Sequence, residues 1–368
     1  MIRMISLLLC SLVFGGEPAP ATRVAVQAPA VPAPPTAVPA SPAMPMAPAV
    51  RQAVDRGLAY LVQVQQPDGT FPAKWDAKSY PATMTALAGL ALLASGSTPQ
   101  EGPYAAPLRQ GMQWLIRRSE THPDGLIAGE DEQRCTYGHG FAMLFLAQCA
   151  GMELTKDDAP RVRRALERAI ALVARGQSPQ GGWLYSPLQY ADEGSTTACV
   201  LQGLRACRNV GIKVPAETID RAAGYLRLTQ NPDGGIAYSA VHRGASRPAL
   251  AAAALACWAS LGHYDRKAGG DGPEADSVAR LWRYLKTAAK DEDVKGHYFY
   301  HHFYLSQATW VLGGKDWDDY LKAMSRDLLA RQAANGTWAG DDVGPTYGTA
   351  IACLILQLPL GHLPFAQR

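Results

Sequence analysis

Two kinds of apolar pattern alternate along the chain from about residue 50 onward. In the first kind, polar and charged residues fill one helical face, which is typical of a helix with one side in water. In the second, nearly every position is apolar, so the helix must be covered on all sides. The amphipathic stretches are Val50 to Val64, Pro107 to Arg118, Ala159 to Arg175, Ala216 to Thr229, Glu274 to Ala289 and Trp317 to Arg331. The apolar stretches are Pro81 to Ala94, Tyr137 to Ala150, Thr196 to Val210, Pro248 to Leu261, Tyr298 to Leu312 and Tyr347 to Leu358.

A short turn motif separates each amphipathic stretch from the apolar stretch that follows it. Clear copies begin at Gln65, Gln177, Gln230 and Gln332, each with a glycine four residues later, and a weaker copy begins at His122. The glycines at 69, 125, 181, 234 and 336 are separated by 56, 56, 53 and 102 residues. The last interval is twice 51, which predicts a degenerate copy near residues 295–296. A fixed period of this size is the signature of a repeat architecture.

The strict alternation predicts an all-α fold in which six amphipathic helices surround six apolar ones as a closed ring of helical hairpins. A Ser or Thr near the start of five apolar stretches is suited to capping a helix N-terminus. These residues are Ser79, Thr136, Ser195, Ser246 and Thr346.

The turn motif, Gln-x-x-Asp/Asn-Gly-x-Trp/Phe, resembles the QW-type repeat of squalene and terpenoid cyclases and of protein prenyltransferase beta subunits. Residues 137–142 (Tyr-Gly-His-Gly-Phe-Ala) and 346–350 (Thr-Tyr-Gly-Thr-Ala) most resemble an exported bacterial branch, the prenyltransferase/squalene oxidase repeat proteins. The resemblance covers about residues 50 to 362 and implies an α6/α6 toroid. It also implies a central cavity lined by the loops before the inner helices and by the N-termini of those helices.

The N-terminal segment has a different character from the repeats. Arg3 precedes an apolar stretch, Ile5 to Phe14, and two glycines, a layout typical of a secretory signal. Ala, Val and ten prolines then dominate up to Pro48, which predicts a semi-rigid tether without a core. We therefore expect a signal peptide at 1–16, a disordered Pro/Ala-rich linker at 17–49 and the toroid at 50–368. The mature protein is expected to be periplasmic or secreted.

Composition narrows the class of protein further. Of 368 residues, 48% are hydrophobic and 18% are charged, which excludes a disordered chain. A net charge of +3 gives no reason to expect a nucleic acid partner, and we expect no transmembrane segment in the mature chain. The six cysteines after the signal lie in predicted helices and lack Cys-x-x-Cys spacing, so buried free thiols are expected.

Helix N-termini that meet at a cavity offer unpaired N–H groups and a positive dipole end. The site should therefore hold an anionic or hydroxylated group against an aromatic wall. His139 and His301 are the candidate general acids or bases. Arg243 and Arg247, beside the predicted start of the fourth inner helix, predict a carboxylate, phosphate or sulfate ligand, unless they pair with acids across the ring. The expected ligand-binding residues are Tyr137, His139, Asp192, Arg243, Arg247, Tyr300, His301, His302 and Tyr347.

Two catalytic motifs of the resembled families are incomplete in this chain. Asp316-Trp317-Asp318-Asp319 matches the acid motif of class II terpene cyclases, but it opens a predicted outer helix, where acids face water and complement the dipole. Residues 300–304 (Tyr-His-His-Phe-Tyr) resemble a zinc-binding segment of prenyltransferases, yet Arg243 and Ala245 stand where its carboxylate and thiolate ligands would be. We therefore expect no bound metal and no cofactor.

Two classes of function remain open on these grounds. The first is a binding or scaffold toroid that holds a small apolar or anionic ligand in its cavity, or a protein partner at the ring mouth. The second is an enzyme, similar to a terpene cyclase, transferase or lyase, that acts on an isoprenoid-like or polyhydroxylated substrate by histidine acid–base chemistry. The absence of a complete catalytic set favours the first.

Overall fold

The computed structural model of the protein describes residues 46–72, 80–129, 132, 134–263, 273–288 and 292–366. The predicted signal peptide and nearly all of the predicted linker lie outside these residues. Within them the regular structure is helical, without strands, and no helix has the length and apolar character to cross a bilayer. The helices are α1 (Pro48–Val64), α2 (Pro81–Leu93), α3 (Ala105–Thr121), α4 (Cys135–Ala150), α5 (Asp158–Gly176), α6 (Gly194–Asn209), α7 (Ala216–Thr229), α8 (Pro248–Ser260), α9 (Pro273–Ala288), α10 (Glu292–Gly296), α11 (Tyr298–Leu312), α12 (Gly314–Arg331) and α13 (Pro345–Gln357).

The apolar helices form a closed inner ring. In order around the ring, α2, α4, α6, α8, α11 and α13 each pack against the next, and α13 returns to α2. The amphipathic helices α1, α3, α5, α7, α9 and α12 pack outside them. Nearly all residues of α2, α4 and α8 are buried, because each lies between its ring neighbours and an outer helix. The all-α toroid predicted from the alternating pattern is confirmed.

The glutamine of each clear turn motif joins its own turn to the next outer helix. Gln177 Nε2 donates to the carbonyl of Gly181 at 2.8 Å and to that of Thr218, on α7, at 2.9 Å. Gln65 and Gln230 make the equivalent bonds to α3 and α9. Gln332 repeats the arrangement with Gly336 and Ala53, the latter on α1, at 2.9 and 2.8 Å. The last of these bonds ties the turn after α12 to the first outer helix, α1.

The glycine and the aromatic residue of the motif are explained by their contacts with the neighbouring helices. Gly181 has φ +100°, and a Cβ there would lie 2.2 Å from the carbonyl oxygen of Arg221, so the turn accepts only glycine. Trp183 is fully buried, and its indole N–H donates to Val173 O at 2.8 Å, at the end of the preceding outer helix. The backbone N–H of Trp183 donates to the Thr197 hydroxyl on α6 at 3.0 Å. The motif therefore fixes how each outer helix meets its inner partner.

The C-terminal segment after α13 covers the barrel end opposite the inner-helix N-termini. Phe365 N donates to Gln148 Oε1 at 3.1 Å, and the indole of Trp310 donates to Ala366 O at 2.5 Å. His362 Nδ1 lies 3.0 Å from Ala94 O, at the end of α2. This segment therefore ties three inner helices together at that end.

None of the four predicted Ser/Thr caps that the structure describes is the N-cap of its helix, and at α2 and α6 acidic residues accept from the first amides. Glu193 is the N-cap of α6 and accepts from Ser195 N and Thr196 N at 2.9 and 2.6 Å. Glu132, from the loop before α4, accepts from the N–H groups of Ala82 and Thr83 at the start of α2. The N-caps of α4, α8 and α13 (Arg134, Arg247 and Gly344) make no side-chain cap bond, and Ser79 lies outside the described residues.

Two further expectations can be compared with the structure. The six cysteines at 135, 149, 199, 207, 257 and 353 are buried and form no disulfide, as predicted. The predicted degenerate turn near residues 295–296 is instead part of α10, a short helix that ends at Gly296 directly before α11.

We expect Gln177→Ala to lower the free energy of unfolding by about 2 kcal/mol, because two buried acceptors lose their donor. Urea denaturation measures this change. Gln180→Ala, at an exposed position of the same turn, is the matched control and should change stability by less than about 0.5 kcal/mol. Equal stability of the two variants would contradict the structural role assigned to the repeat glutamine.

Candidate functional site

A cavity of about 590 Å³ lies at the N-terminal ends of the inner helices. All six inner helices, or the residues directly before them, contribute to its wall. Its volume lies within the range typical of small-molecule sites. Aromatic residues are the largest group in its lining, and charged groups lie among them. The principal lining residues are Tyr80 and Thr83, Arg134, Tyr137 and Phe141, Tyr185, Glu193 and Ser195, Tyr238 and Arg247, His297 and Tyr300, and Asp341, Asp342 and Tyr347.

A row of two tyrosines between two arginines forms one side of the cavity. The hydroxyls of Tyr185 and Tyr238 are hydrogen-bonded to each other at 2.5 Å. The guanidinium of Arg134 lies 4.4 Å from the centre of the Tyr185 ring, and that of Arg247 lies 5.0 Å from the Tyr238 ring. Both arginines are exposed, and neither forms a salt bridge with any residue that the structure describes. Cation–π contacts therefore orient two guanidiniums whose N–H donors are available to a ligand.

Arg134 also has an unusual backbone. Its φ is +54°, a left-handed conformation that costs a non-glycine residue free energy. This conformation occurs directly before α4, where Arg134 is the N-cap. The strain accompanies the contact between Arg134 and Tyr185 at the cavity.

A chain of hydroxyl groups connects the cavity wall to a buried carboxylate. Ser195 Oγ donates to Glu193, with oxygen distances of 2.7 and 2.8 Å, so the Tyr137 hydroxyl must donate to Ser195. Burial, followed by the charge of Glu193, raises the pKa of Tyr137 well above its usual value. Tyr300 donates to Ser195 O at 3.3 Å. Since Glu193 accepts from two α6 amides as well, its carboxylate serves to anchor this wall.

Asp341 is a second acidic residue of the cavity, and its surroundings differ from those of Glu193. Its Oδ2 accepts from Phe299 N, at the start of α11, at 3.0 Å, and its own φ is +52°. Burial raises the pKa of Asp341 to about 6, against the opposing effects of that hydrogen bond and of His297. Asp342, which is exposed, raises the pKa further. Asp341 is therefore a carboxyl group that exchanges its proton near neutral pH beside an aromatic cavity.

Four of the residues predicted to bind a ligand meet at this cavity: Tyr137, Arg247, Tyr300 and Tyr347. The three tyrosines are largely buried, and burial raises the pKa of each hydroxyl. They come from α4, α11 and α13, so the closed ring of inner helices brings together residues more than 200 positions apart in sequence.

His139, predicted as a candidate acid or base, does not reach the cavity. Its Nδ1 accepts from Ile127 N at 3.1 Å, so Nε2 carries the proton and donates to Ala169 O at 3.3 Å. Burial lowers the pKa of His139 to about 4. The ring is a neutral hydrogen-bonded group between α4 and α5, which corrects the expectation that it points into the bore.

His301 and His302 also lie away from the cavity. His301 is buried on α11 and contacts the ring of His302 edge-on, with centroids 4.9 Å apart. His302 Nδ1 lies 3.1 Å from the Tyr320 hydroxyl on the outer helix α12. Burial lowers the pKa of His302 to about 3. The histidine of this segment that lines the cavity is His297, the N-cap of α11.

Asp192 and Arg243 likewise make structural contacts instead of facing the cavity. Asp192 is buried and accepts from Ala240 N at 3.0 Å. Arg243 donates to Gln230 O and to Asn231 Oδ1, both at 3.0 Å, within the turn before α8. Each fixes a loop, so the expected pairing of Arg243 and Arg247 at one ligand is corrected.

The acid motif at 316–319 opens the outer helix α12, as expected. Asp316 pairs with Lys286 at 3.4 Å and Asp319 with Lys315 at 2.5 Å, while Trp317 is buried. None of the three aspartates lines the cavity. Within the described ranges, no three His, Cys, Asp or Glu side chains converge as metal ligands, and the zinc prediction remains to be tested by metal analysis.

Sequence reasoning missed Arg134, Tyr185 and Tyr238. A signal for the tyrosines was present, since Tyr185 and Tyr238 each stand four residues after the glycine of their turn motif, and a serine follows each. Comparing successive repeats position by position would have selected both. Arg134 and Arg247 share a position as well, each directly preceding an inner helix.

Sequence comparison relates the chain to terpene cyclases. It is 30% identical over 185 residues to drimenyl diphosphate synthase of Streptomyces showdoensis, a match that covers 50% of this chain and 32% of that enzyme. It is 26% identical over 141 residues to a lanosterol synthase of Aspergillus fumigatus, covering 38% of this chain and 18% of that enzyme. The chain therefore spans a third or less of the curated relatives it matches. No protein-family profile matches it.

Solved structures share the fold at low sequence identity. The type II terpene cyclase MstE from Scytonema, in complex with geranylgeranyl dihydroxybenzoate, aligns with a TM-score of 0.53 at 15% identity, covering 86% of this chain and 98% of that one. An α-1,6-mannanase of Salegentibacter, in complex with α-1,6-mannotriose, aligns with a TM-score of 0.62 at 9% identity, covering 84% and 99%. The protein shares the α/α toroid fold of these structures, and the sequence resemblance of its turn motif points to the same fold.

The pKa of Asp341 has a measurable effect on stability. Folding raises the pKa of Asp341 from 3.8 to about 6, so the protonated carboxyl group stabilises the folded state. This contribution to the unfolding free energy is complete below pH 3.8 and is lost as the pH rises through about 6. We expect Asp341→Asn to remove this part of the pH dependence of the unfolding free energy, measured by urea denaturation between about pH 4 and 7.

Asp318→Asn, at an exposed position of α12, is the matched control and should retain the wild-type pH dependence. If the slope of wild type and that of Asp341→Asn coincide, Asp341 is an ordinary surface carboxylate and its role in the cavity is wrong.

Proposed function

We propose that the toroid binds an amphiphilic ligand, with the anionic head between Arg134 and Arg247 and an apolar, isoprenoid-like body inside the cavity. The observation that carries this proposal is the row Arg134, Tyr185, Tyr238 and Arg247. Two oriented guanidiniums without acidic partners among the described residues form a site for a phosphate or carboxylate.

The rest of the cavity suits the apolar part of such a ligand. Phe141, Tyr300 and Tyr347 offer ring faces and edges from three inner helices. Met84 and Leu250 add aliphatic surface from two more. Beyond these residues, the inner ring is filled by apolar side chains, so the ligand body ends against the packed core.

The comparisons support this type of ligand without determining it. One relative is named for a terpenoid diphosphate, and the MstE structure holds a geranylgeranyl compound. The mannanase structure holds a sugar in the same fold, so a carbohydrate is the competing ligand class. An apolar body and an anionic head distinguish the two classes, because mannotriose has neither.

We expect the double variant Arg134→Ala with Arg247→Ala to weaken binding of farnesyl phosphate by at least about 30-fold, since each arginine contributes a charge-assisted hydrogen bond of roughly 2 kcal/mol. Isothermal titration calorimetry measures the affinity. Binding of farnesol, which has the same body and no charge, should be weak and almost unchanged by the double substitution.

Arg163→Ala, on the outer face of α5, is the matched control and should bind farnesyl phosphate as the wild type does. Equal affinity of wild type and double variant for farnesyl phosphate would exclude the anion site. Binding of α-1,6-mannotriose in place of both isoprenoids would replace the amphiphile with a carbohydrate.

Catalysis is a second candidate function, and Asp341 is the observation that favours it. A carboxyl group with a pKa of about 6 at an aromatic cavity retains a proton that an apolar substrate could accept. The fold relatives are terpene cyclases and glycosidases. The histidines first considered for this role lie outside the cavity, so acid chemistry would depend on Asp341.

The catalytic candidate is tested by incubating the protein with farnesyl diphosphate or geranylgeranyl diphosphate and analysing the products by mass spectrometry. Turnover should be abolished by Asp341→Asn. It should persist in a variant with Asn at 316, 318 and 319, because those aspartates belong to an outer helix. Turnover that survives Asp341→Asn, or no turnover at all, would reject this candidate and leave the binding function.

A further inference from the structure

Charged side chains of opposite sign stand on opposite sides of the cavity. Arg134 and Arg247 directly precede α4 and α8, and the inner helix between these two is α6. Asp341 and Asp342 lie in the loop that leads into α13, which is three helices away from α6 in either direction around the inner ring. The two aspartates and the two arginines line the same cavity. The cavity therefore has a cationic side and, across from it, an acidic side.

The acidic side offers hydrogen-bond acceptors to the cavity. Asp341 accepts from Phe299 N through Oδ2, and no described residue bonds to its Oδ1. Tyr347 is only 8% exposed, lines the cavity, and has no hydrogen-bond partner for its hydroxyl among the described residues. Burial, followed by the charge of Asp341, raises the pKa of Tyr347, so the two side chains are close neighbours. Asp342 is exposed and adds a second carboxylate. A buried hydroxyl without a partner beside two acids points to a ligand that donates hydrogen bonds.

Aromatic residues flank these acceptors. Tyr80 is the N-cap of α2, Tyr300 lies on α11 and Tyr347 on α13, and both α2 and α11 pack against α13. On the cationic side, each arginine already lies against a tyrosine ring. Within the described ranges, no Arg or Lys lies over the three rings of the acidic side. Because aromatic faces attract cations, this side is suited to a positively charged group of a ligand.

We propose that the head of the ligand is zwitterionic, with a phosphate between Arg134 and Arg247 and a primary ammonium group at Asp341, Asp342 and Tyr347. A primary ammonium has three N–H donors and no acceptor, which matches a site made of two carboxyl groups and a hydroxyl oxygen. A purely anionic head would leave the acidic side without a partner. The inference rests on the proposed function for the position of the phosphate.

The size of the cavity is compatible with a single head of this kind. Both sides line one cavity of about 590 Å³, so a phosphate and an ammonium separated by two carbons can reach both. This aminoethyl phosphate chemistry occurs in lipid headgroups and as free phosphoethanolamine. An experiment must therefore vary the second charge and the apolar body separately.

Three phosphate diesters with the same farnesyl body test the second charge: farnesyl ethyl phosphate, farnesyl aminoethyl phosphate and farnesyl trimethylammonioethyl phosphate. Isothermal titration calorimetry of the wild type should give an affinity for the aminoethyl ester at least about tenfold higher than for the ethyl ester, because of its charge-assisted hydrogen bonds. We call this ratio the ammonium preference. The trimethylammonio ester has the charge without N–H donors and should gain less. A wild type with no ammonium preference would overturn the proposal, and a trimethylammonio ester that binds as tightly as the aminoethyl ester would overturn the primary ammonium.

Substitutions on the acidic side test its residues. Asp342→Asn and Tyr347→Phe should each lower the ammonium preference at least about threefold, since each removes a charge or an acceptor from the ammonium. Circular dichroism reports whether both variants are folded. Asp318→Asn, at an exposed position of α12, is the matched control and should keep the wild-type preference. A preference that is unchanged in both Asp342→Asn and Tyr347→Phe would contradict the assignment of these residues.

Two further measurements separate this inference from the proposed function. Farnesyl ethyl phosphate has only the anion and the body. If the wild type binds this ester, and the double variant of Arg134 and Arg247 loses it, without any ammonium preference, the proposed function stands and the zwitterionic head is wrong. Free phosphoethanolamine, which lacks the body, should bind at least about tenfold more weakly than the aminoethyl ester. Equal affinities of these two would support the zwitterionic head and reject the apolar body of the proposed function.

Discussion

A pair of hydrogen bonds from one glutamine side chain is the constraint on which the architecture depends. An amide with two donor hydrogens satisfies the carbonyl of its own turn and a carbonyl of the next outer helix. Backbone carbonyls near a turn would otherwise be buried without partners, at a cost in free energy. Because Gln332 bonds to α1 as Gln177 bonds to α7, the same local device closes the ring. Closure places the inner-helix N-termini around one cavity.

The convergence of the inner-helix N-termini is electrostatically unfavourable, and acidic side chains compensate for it. Converging helix N-termini bring positive dipole ends and unpaired N–H groups together. Glu132, Glu193 and Asp341 accept from the first amides of α2, α6 and α11. Glu132 is buried, and this burial raises its pKa to about 7. The N-termini of α4 and α8 instead carry Arg134 and Arg247, so positive charge at the mouth is concentrated beside these two helices.

The fold could be predicted from sequence because the patterns that specify it are local and recur along the chain. The helix pattern and the glycine that a positive φ requires recur in the four clear copies, and an aromatic residue follows that glycine in three of them. The glutamine makes the same contacts in all four copies. The caps could not be predicted, since Glu132 reaches α2 from fifty residues away, and a nearby Ser or Thr is then not needed. On a helix that is buried on all sides, the sequence does not show which face points to the cavity. His139 and His302 were therefore expected to line the cavity, but both side chains are hydrogen-bonded to outer helices instead. Tyr185 and Tyr238 precede their helices by about ten residues, and only the ring geometry brings their hydroxyls into contact.

The cavity is proposed to orient an anionic head towards Arg134 and Arg247 and an apolar body towards the inner ring. A crystal structure of the protein with farnesyl phosphate would show this orientation. We expect phosphate oxygens within hydrogen-bond distance of both guanidiniums, and the isoprenoid chain against Phe141, Tyr300 and Tyr347. A phosphate held elsewhere, or a chain that lies outside the cavity while both arginines stay on their tyrosines, would contradict it.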